Sequence, residues 1–337
     1  MSFFNLLIYS GIFFLFLYLM KRYLDCPTAE NKKSMVGKVI VITGCSSGFG
    51  INTAEELLKL GAKVIMANRN EEKSMNVIKS FDENLRSQCE VIKLNLSSLK
   101  SIENFVAEFK KKIGKLDILI NNAGTWEDNF SKTENGIEQT LQANVLSEIL
   151  LSLHLLDSFN PEGRIINLSS VGHTYAKLDM KILNDDLNFN HLATSFDGNM
   201  EYFKSKLGNV YFTQALRNYI VKKDLNLTTV AAHPGAVNTD LSRSFRGYKK
   251  VLIILLNPLI KYLFRTPLAG AQTTLFCTFL NHNEVQNGGY YADAGIFAPG
   301  GLGNNSELRK QYMDYCKNVL KHHYNSFPSN FDDFFNC

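Results

Sequence analysis

The chain has 337 residues, a formal net charge of +4, 45% hydrophobic and 20% charged side chains. It is long enough to bury a full core as a large α/β domain, and its composition is that of a globular protein. The small, dispersed positive charge, with no basic helix and no zinc-finger spacing, argues against nucleic acid as the partner.

Residues 3–20 carry no charged side chain and are rich in Phe, Leu and Ile. Eighteen helical residues at about 1.5 Å each span about 27 Å, close to the hydrocarbon thickness of a bilayer. Lys21, Arg22, Lys32 and Lys33 follow, with no charge before them. A positive leading region and a small-residue cleavage site, the marks of a signal peptide, are both missing. The expectation is an uncleaved membrane anchor over 1–22, a polar linker over 23–36 and a cytosolic catalytic domain. The endoplasmic reticulum is the expected membrane. Hairpin insertion into one leaflet, as on a lipid droplet, is the alternative.

Strands and helices then alternate. The run 38–43 is apolar and β-branched and reads as a buried strand, followed by a helix over 49–60 closed by Gly61. Further strands are expected at 63–67, 90–95, 116–121, 164–169, 226–232 and 289–293. Helices are expected at about 100–113, 136–158 and 201–223. This order implies right-handed crossovers and one doubly wound parallel sheet of Rossmann type, a single domain over 37–325 with a substrate lid at about 240–268. The six cysteines, at 26, 45, 89, 277, 316 and 337, show no CxxC pair and read as free thiols with no metal site. The sequons at Asn95 and Asn167 fall on expected core strand ends and read as chance.

Chemistry gathers at the ends of the strands. The run Thr43-Gly44-Cys45-Ser46-Ser47-Gly48-Phe49-Gly50 follows a strand and opens a helix, the setting of a phosphate-binding turn. At the end of the second strand, where an acidic side chain would hold a ribose 2′-hydroxyl, stands Asn68-Arg69; a guanidinium suits a 2′-phosphate, which points to NADP(H). Asn121-Asn122-Ala123-Gly124, Ser169-Ser170 and His233-Pro234-Gly235 lie at later strand ends, and Asn144 lies inside the long helix. Tyr202 and Lys206, four apart on a helix, share one face, where an ammonium is expected to pull the phenol from about 10 toward neutrality.

Thr-Gly-x-x-x-Gly-x-Gly, Asn-Asn-Ala-Gly, the helix Asn, the strand-end Ser, Tyr-x-x-x-Lys and Pro-Gly together resemble the short-chain dehydrogenase/reductase family over about 36–293. Ser169-Ser170-Val171-Gly172-His173, the run from Tyr202 to Asn209 and Thr266-Pro267 with Gly270-Ala271-Gln272-Thr273 are most similar to its retinol dehydrogenase-like group. The resemblance implies Tyr202 as general acid/base and Lys206 as its tuner and a ribose ligand. It implies Ser170 as hydrogen-bond donor to the substrate oxygen and Asn144 as holder of a relay water. Ser170 is preferred to Ser169 because alternation turns the first serine to the other face of the strand. The cofactor residues implied are Thr43, Gly44, Ser46, Ser47, Gly48, Phe49, Gly50, Arg69, Asn95, Leu96, Asn121, Ala123, Gly124, Tyr202, Lys206, Pro234, Gly235, Val237 and Thr239. Asn95 stands where the family usually has Asp, which implies a weaker hold on adenine, and Cys45-Ser46 adds no second basic group for a 2′-phosphate.

The apolar segment 251–264, broken by Asn257-Pro258 and flanked by basic residues, reads either as a helix packed on the core or as a lid dipping into the membrane interface. His173 and His191 read as structural, and 326–337 as a tail without assigned role. The function implied is an NADP(H)-dependent oxidoreductase interconverting a lipophilic alcohol and its aldehyde or ketone. A retinoid-like substrate ranks first, and a steroid or other lipid alcohol is the alternative. A catalytically silent scaffold with the same fold is the reading from another class. The family often pairs through its long helices, which implies a homodimer.

Overall fold

The computed structural model describes residues 3–29, 32–237 and 262–337. Eight strands form one sheet in the order β3-β2-β1-β4-β5-β6-β7-β8. They are β1 Val39–Thr43, β2 Lys63–Asn68, β3 Cys89–Lys93, β4 Leu116–Asn121, β5 Phe159–Leu168, β6 Leu227–His233, β7 Tyr290–Ala292 and β8 Gly295–Phe297. All pair in parallel except β7 with β8. The parallel sheet expected from the alternating pattern is present. β8, three residues after a turn through Asp293 and Ala294, both at positive φ, is too short to leave a period in the sequence.

The helices used below are α1 Phe3–Leu24, α2 Phe49–Lys59, α3 Glu71–Ser80, α4 Leu99–Lys112, α5 Ser147–Leu155, α6 Gly198–Lys222, α7 Pro267–Phe279 and α8 Ser306–His323. Period-2 alternation sends successive strand residues to opposite faces. Val41, Ile65, Leu119 and Ile165 meet α4, α5, α6 and α8, whereas Ile40, Ile42, Val64, Met66 and Ile120 meet α2, α3 and α7. Both faces are covered, so the centres of the strands are mostly apolar. The strand order reverses between β1 and β4, and the loops after these two strands open a crevice at the carboxyl edge.

The expected helix over 136–158 is divided. Gln139–Leu141 is α-helical, Gln142–Leu146 is a π turn, and α5 continues from Ser147. An extra residue in that turn shifts the side chains after it, a device frequent at functional sites.

The apolar N-terminal segment is the single helix α1, with Lys21 and Arg22 in its last turn. Among the described residues no helix is long and apolar enough to cross a membrane, so a span is not observed. Tyr9, Gly11 and Tyr18 interrupt the aliphatic run. Ile12, Phe13, Phe14, Leu15 and Phe16 are each more than half exposed. Five consecutive helical residues cover the whole circumference, so α1 presents apolar surface all round.

The segment after α1 is bound to the domain. Arg265 Nε donates to Leu24 O at 2.5 Å, Ala29 N donates to Gln272 Oε1 at 2.9 Å, and Ala29 and Met35 are buried. At the other end Phe331 and Phe334 are buried, Phe334 against Phe212 and Tyr219 of α6. All six cysteines are free thiols.

Candidate active site

Two turns build the floor of the crevice. Thr43, the last residue of β1, accepts hydrogen bonds on Oγ1 from Asn122 N at 3.0 Å and Ala123 N at 2.9 Å, and Asn122 Nδ2 returns one to Thr43 O at 2.8 Å. The chain ends of β1 and β4 are thereby stitched together. Gly44 has φ +66, and a Cβ there would lie 2.6 Å from Ala123 Cα; a Cβ on Gly50 would lie 2.7 Å from Asn122 Nδ2. No side chain caps α2, whose N-cap is Gly48, and no acidic residue occupies its first turn. Free N–H groups at a helix start, approached by backbone alone, fit a pyrophosphate.

The cavity above this floor measures about 970 Å³. Ser46, Ser47, Phe49, Arg69, Asn95, Leu96, Gly124, Pro234, Gly235 and Val237 line it, together with Ser170, Tyr202 and Lys206. Arg69 and Lys73 supply the positive charge at the end of β2. Asn68 turns inward and donates to Ser74 Oγ at 3.0 Å. The residues present fit a nicotinamide dinucleotide.

Thr43 and Asn121, both expected at the cofactor, are buried and do not line the cavity. Asn121 is fully buried, donating to Asn167 Oδ1 at 2.8 Å and Ser152 Oγ at 3.0 Å beneath the sheet edge. Alternation gives the cleft to Asn122 instead. Thr239 lies outside the described residues, as does most of 251–264; Phe264 borders the cavity.

Strand β5 ends in the two serines. Ser169 Oγ donates to Lys206 O at 2.8 Å, holding α6 to the strand. Ser170 caps a short 3-10 turn by accepting from Gly172 N at 3.1 Å, which leaves its proton for the cleft. His173 supports this turn: Nε2 accepts from Gly300 N at 3.1 Å, so Nδ1 carries the proton and donates to Ser170 O at 2.6 Å. His191 pairs with Asp186 at 2.9 Å, outside the cavity lining.

Helix α6 carries Tyr202 and Lys206 on one face. Lys206 Nζ donates to Leu168 O at 2.8 Å and lies 5.8 Å from the centre of the Tyr202 ring. The expected downward pull on the phenol is overturned. Burial pushes Tyr202 up to about 12, with the Ser170 hydroxyl pulling the other way. Burial also lowers Lys206, against the opposing charge of Glu148. Desolvation penalises both charged forms, and the ammonium donates to a carbonyl and not to the phenol.

Asn144, in the π turn, is fully buried. Its Nδ2 donates to Thr125 O at 2.9 Å and Ser205 Oγ at 3.0 Å, and its Oδ1 accepts from Thr125 N at 2.8 Å. Both amide hydrogens are therefore committed to protein partners. Below Lys206, Asn209 Nδ2 donates to both Leu168 O at 2.9 Å and Glu148 Oε2 at 3.0 Å. Burial holds the Glu148 carboxyl well above the usual carboxylate range.

Sequence reasoning set the motifs of Asn122 and His233 at strand ends without giving either residue a role, and it did not single out Trp126; all three line the cavity. His233 Nδ1 accepts from Val171 N at 3.3 Å and Gly235 N at 3.4 Å, and burial lowers its pKa to about 4. Trp126, the one tryptophan of the chain, lies flat on Tyr202 with ring centres 4.5 Å apart and an interplanar angle of 7°. Its place two residues after Asn122-Ala123-Gly124 is the only signal the sequence offers.

Comparison with known proteins agrees with this geometry. A family model described as short chain dehydrogenase matches residues 38–180. Retinol dehydrogenase 11 of Homo sapiens is 30% identical over 305 residues, covering 89% of this chain and 91% of that protein. Retinol dehydrogenase 12 of Bos taurus is 37% identical over 262 residues, covering 77% and 78%. Among solved structures, an uncharacterized protein from Mycobacterium Paratuberculosis superposes with a TM-score of 0.70 at 24% identity, covering 90% of this chain and 99% of that one. That likeness supports the fold.

Proposed function

The chain belongs to the short-chain dehydrogenase/reductase family, in its retinol dehydrogenase-like group, and on that premise we propose that it is an NADP(H)-dependent oxidoreductase. It interconverts a lipophilic alcohol with its aldehyde or ketone, a retinoid-like substrate first. The observation that carries this reading is the convergence of Ser170, Tyr202 and Lys206 on one cavity above an uncapped, glycine-crowded helix start.

The nicotinamide cofactor supplies or accepts the hydride. The protein's own residues handle the oxygen and its proton. In reduction, the Ser170 and Tyr202 hydroxyls hydrogen-bond the carbonyl oxygen and fix its place. As negative charge grows there, Tyr202 delivers its proton, and Ser170 stabilises what remains. Lys206 holds the ribose and keeps positive charge beside the phenolate left behind. Asn144 braces the Gly124–Thr125 turn against α6, so the wall next to Lys206 does not yield. In oxidation the same groups run backward.

Arg69, with Lys73 beside it and no carboxylate at the end of β2 lining the cavity, supports NADP(H) over NAD(H). The apolar circumference of α1 supports attachment to a membrane, with the endoplasmic reticulum as the expected one and the catalytic domain on the cytosolic side. Lys21 Nζ reaches Phe264 O at 3.4 Å, which places the end of α1 beside a residue of the cavity rim and supports entry of substrate from lipid. A homodimer remains part of the proposal on family grounds alone.

The test is NADPH and NADH consumption by the membrane-bound protein with retinaldehyde, medium-chain aldehydes and ketosteroids, and Tyr202→Phe as control. Turnover with NADPH that vanishes in the variant is the expected result. Tight NADPH binding without turnover of any of these substrates would favour the silent-scaffold alternative.

A further inference from the structure

We propose that Trp126 is the specificity-determining residue of the cleft: its indole, clamped flat against Tyr202, forms an aromatic slot that admits a flat conjugated carbonyl compound and turns away a thick, saturated one. This rests on the oxidoreductase reading above.

The parallel contact of Trp126 with Tyr202 is part of a larger surface. Phe203 lies 6.3 Å from Trp126 at an angle of 54°, and Tyr175 lies 5.8 Å from Phe203 at 47°. All four rings line the cavity that holds Ser170 and Lys206. With the indole over the face of the phenol, Tyr202 offers a substrate its hydroxyl edge. A carbonyl reaching that edge must lie along the indole and the Phe203 ring. Aromatic faces reward a flat, polarisable neighbour through offset stacking and edge contacts. A puckered saturated ring gains less from such faces.

A wall selects only if it cannot move, and three contacts hold this one. Thr125, before the tryptophan, is pinned by its reciprocal pair of hydrogen bonds with Asn144. Glu127, after it, accepts a hydrogen bond from Thr125 Oγ1. The Glu127 carbonyl also presses on the start of α6, where a Cβ on Gly198 would lie 2.0 Å from that oxygen. Shifting the main chain that carries the indole would therefore break the brace at Asn144 and the contact at Gly198 together, and the stack on Tyr202 holds the ring itself. Rigid packing of this kind resists graded deformation.

The experiment uses the full chain in membranes, with Trp126→Ala and Trp126→Phe, all-trans-retinaldehyde as the flat substrate and a saturated ketosteroid as the thick one. Trp126→Ala is expected to lower kcat/KM for retinaldehyde about tenfold, mostly through KM, and to raise it for the ketosteroid. Trp126→Phe, which keeps an aromatic face and the fold, is expected to retain most of the preference. An unchanged ratio of the two kcat/KM values in both variants, with NADPH affinity intact, overturns the proposal. A second readout does not need turnover: by equilibrium dialysis, Tyr202→Phe should bind retinaldehyde more tightly than the ketosteroid, and adding Trp126→Ala should remove that preference. Wild-type protein that turns over neither compound, yet shows that preference in Tyr202→Phe and its loss in the double variant, would overturn the oxidoreductase reading and uphold the slot. Equal affinity for both compounds, or a preference that survives Trp126→Ala, overturns the slot.

Discussion

Asn144 and Thr125 exchange two hydrogen bonds, Thr125 N to Asn144 Oδ1 at 2.8 Å and Asn144 Nδ2 to Thr125 O at 2.9 Å. A side-chain amide thus pairs with a main-chain amide as a neighbouring strand would. It closes the loop after β4 with no residue of regular sheet. Asn144→Ala leaves the Thr125 N–H and C=O without these partners. Thr125 is half-buried, so the lower part of the roughly 1–3 kcal/mol for each unsatisfied group applies, and the expected loss is roughly 2–4 kcal/mol of stability. Turnover should fall with it as the wall beside Lys206 loosens. Urea unfolding of the variant checks this, and an unmoved midpoint would mean that the brace is not structural.

The phenol of Tyr202, pushed up to about 12 by burial, fixes the sign of the pH dependence. Below that value the group is protonated and ready to donate, so kcat/KM for carbonyl reduction should stay level from about pH 6 to 9 as far as this group is concerned. Alcohol oxidation needs the phenolate, whose fraction climbs about tenfold per unit over that range. Initial rates in both directions decide the matter. An oxidation rate already level at pH 7 would mean that the bound cofactor's charge has pulled the phenol down.

Glu148 is buried, and its carboxyl is held well above the usual range. Its folded pKa exceeds its unfolded value of about 4.3, so the stability its neutral form contributes is present below that value and is lost as pH rises toward the folded pKa. Glu148→Gln keeps the shape without this loss. Its melting temperature should exceed that of the parent at pH 7–8 (about neutrality and above), with the gap closing near about pH 4. A gap that is constant across this range would place the proton elsewhere.

Arg69 stands at the end of β2, on the cavity wall. Arg69→Glu removes a charge-assisted partner of a 2′-phosphate and installs an acceptor suited to a ribose hydroxyl. At about 1.5–3 kcal/mol for such a bond, KM for NADPH should rise roughly ten- to hundredfold while that for NADH holds or falls. Saturation kinetics with both cofactors measure it, and equal changes for the two would remove Arg69 from the binding site.

Much of this architecture is legible in the sequence because its signals are local. Strand β4 falls on 116–121 as expected, since a buried parallel strand is a bounded run of apolar residues. Ser170 reaches the cleft and Ser169 the helix, as simple alternation requires. The same alternation, followed one strand over, would have chosen Asn122 above Asn121. The split of 136–158 into α, π and α segments carries no such signal, because residues 141–150 are buried on every side and offer no polar face whose period an extra residue could interrupt. Neither does the Trp126–Tyr202 stack. It depends on where a loop after β4 meets a helix more than seventy positions later, and that distance is set by the whole fold. The pull of Lys206 on Tyr202 was misjudged for a similar reason: spacing shows that two groups are neighbours, whereas burial decides what each neighbour costs.

The amide of Asn121 reaches across to Asn167, and the two residues are register partners of β4 and β5. Asn167 donates in turn to Thr213 Oγ1 of α6 at 2.9 Å. This polar rung sits at the carboxyl ends of β4 and β5, where a slip of either strand by a single position would leave amide groups without their partners. An aliphatic pair at the same place would tolerate the slip. The rung therefore penalises every register of β4 against β5 except the one that brings the turn after β4 and Ser170 to the same cleft.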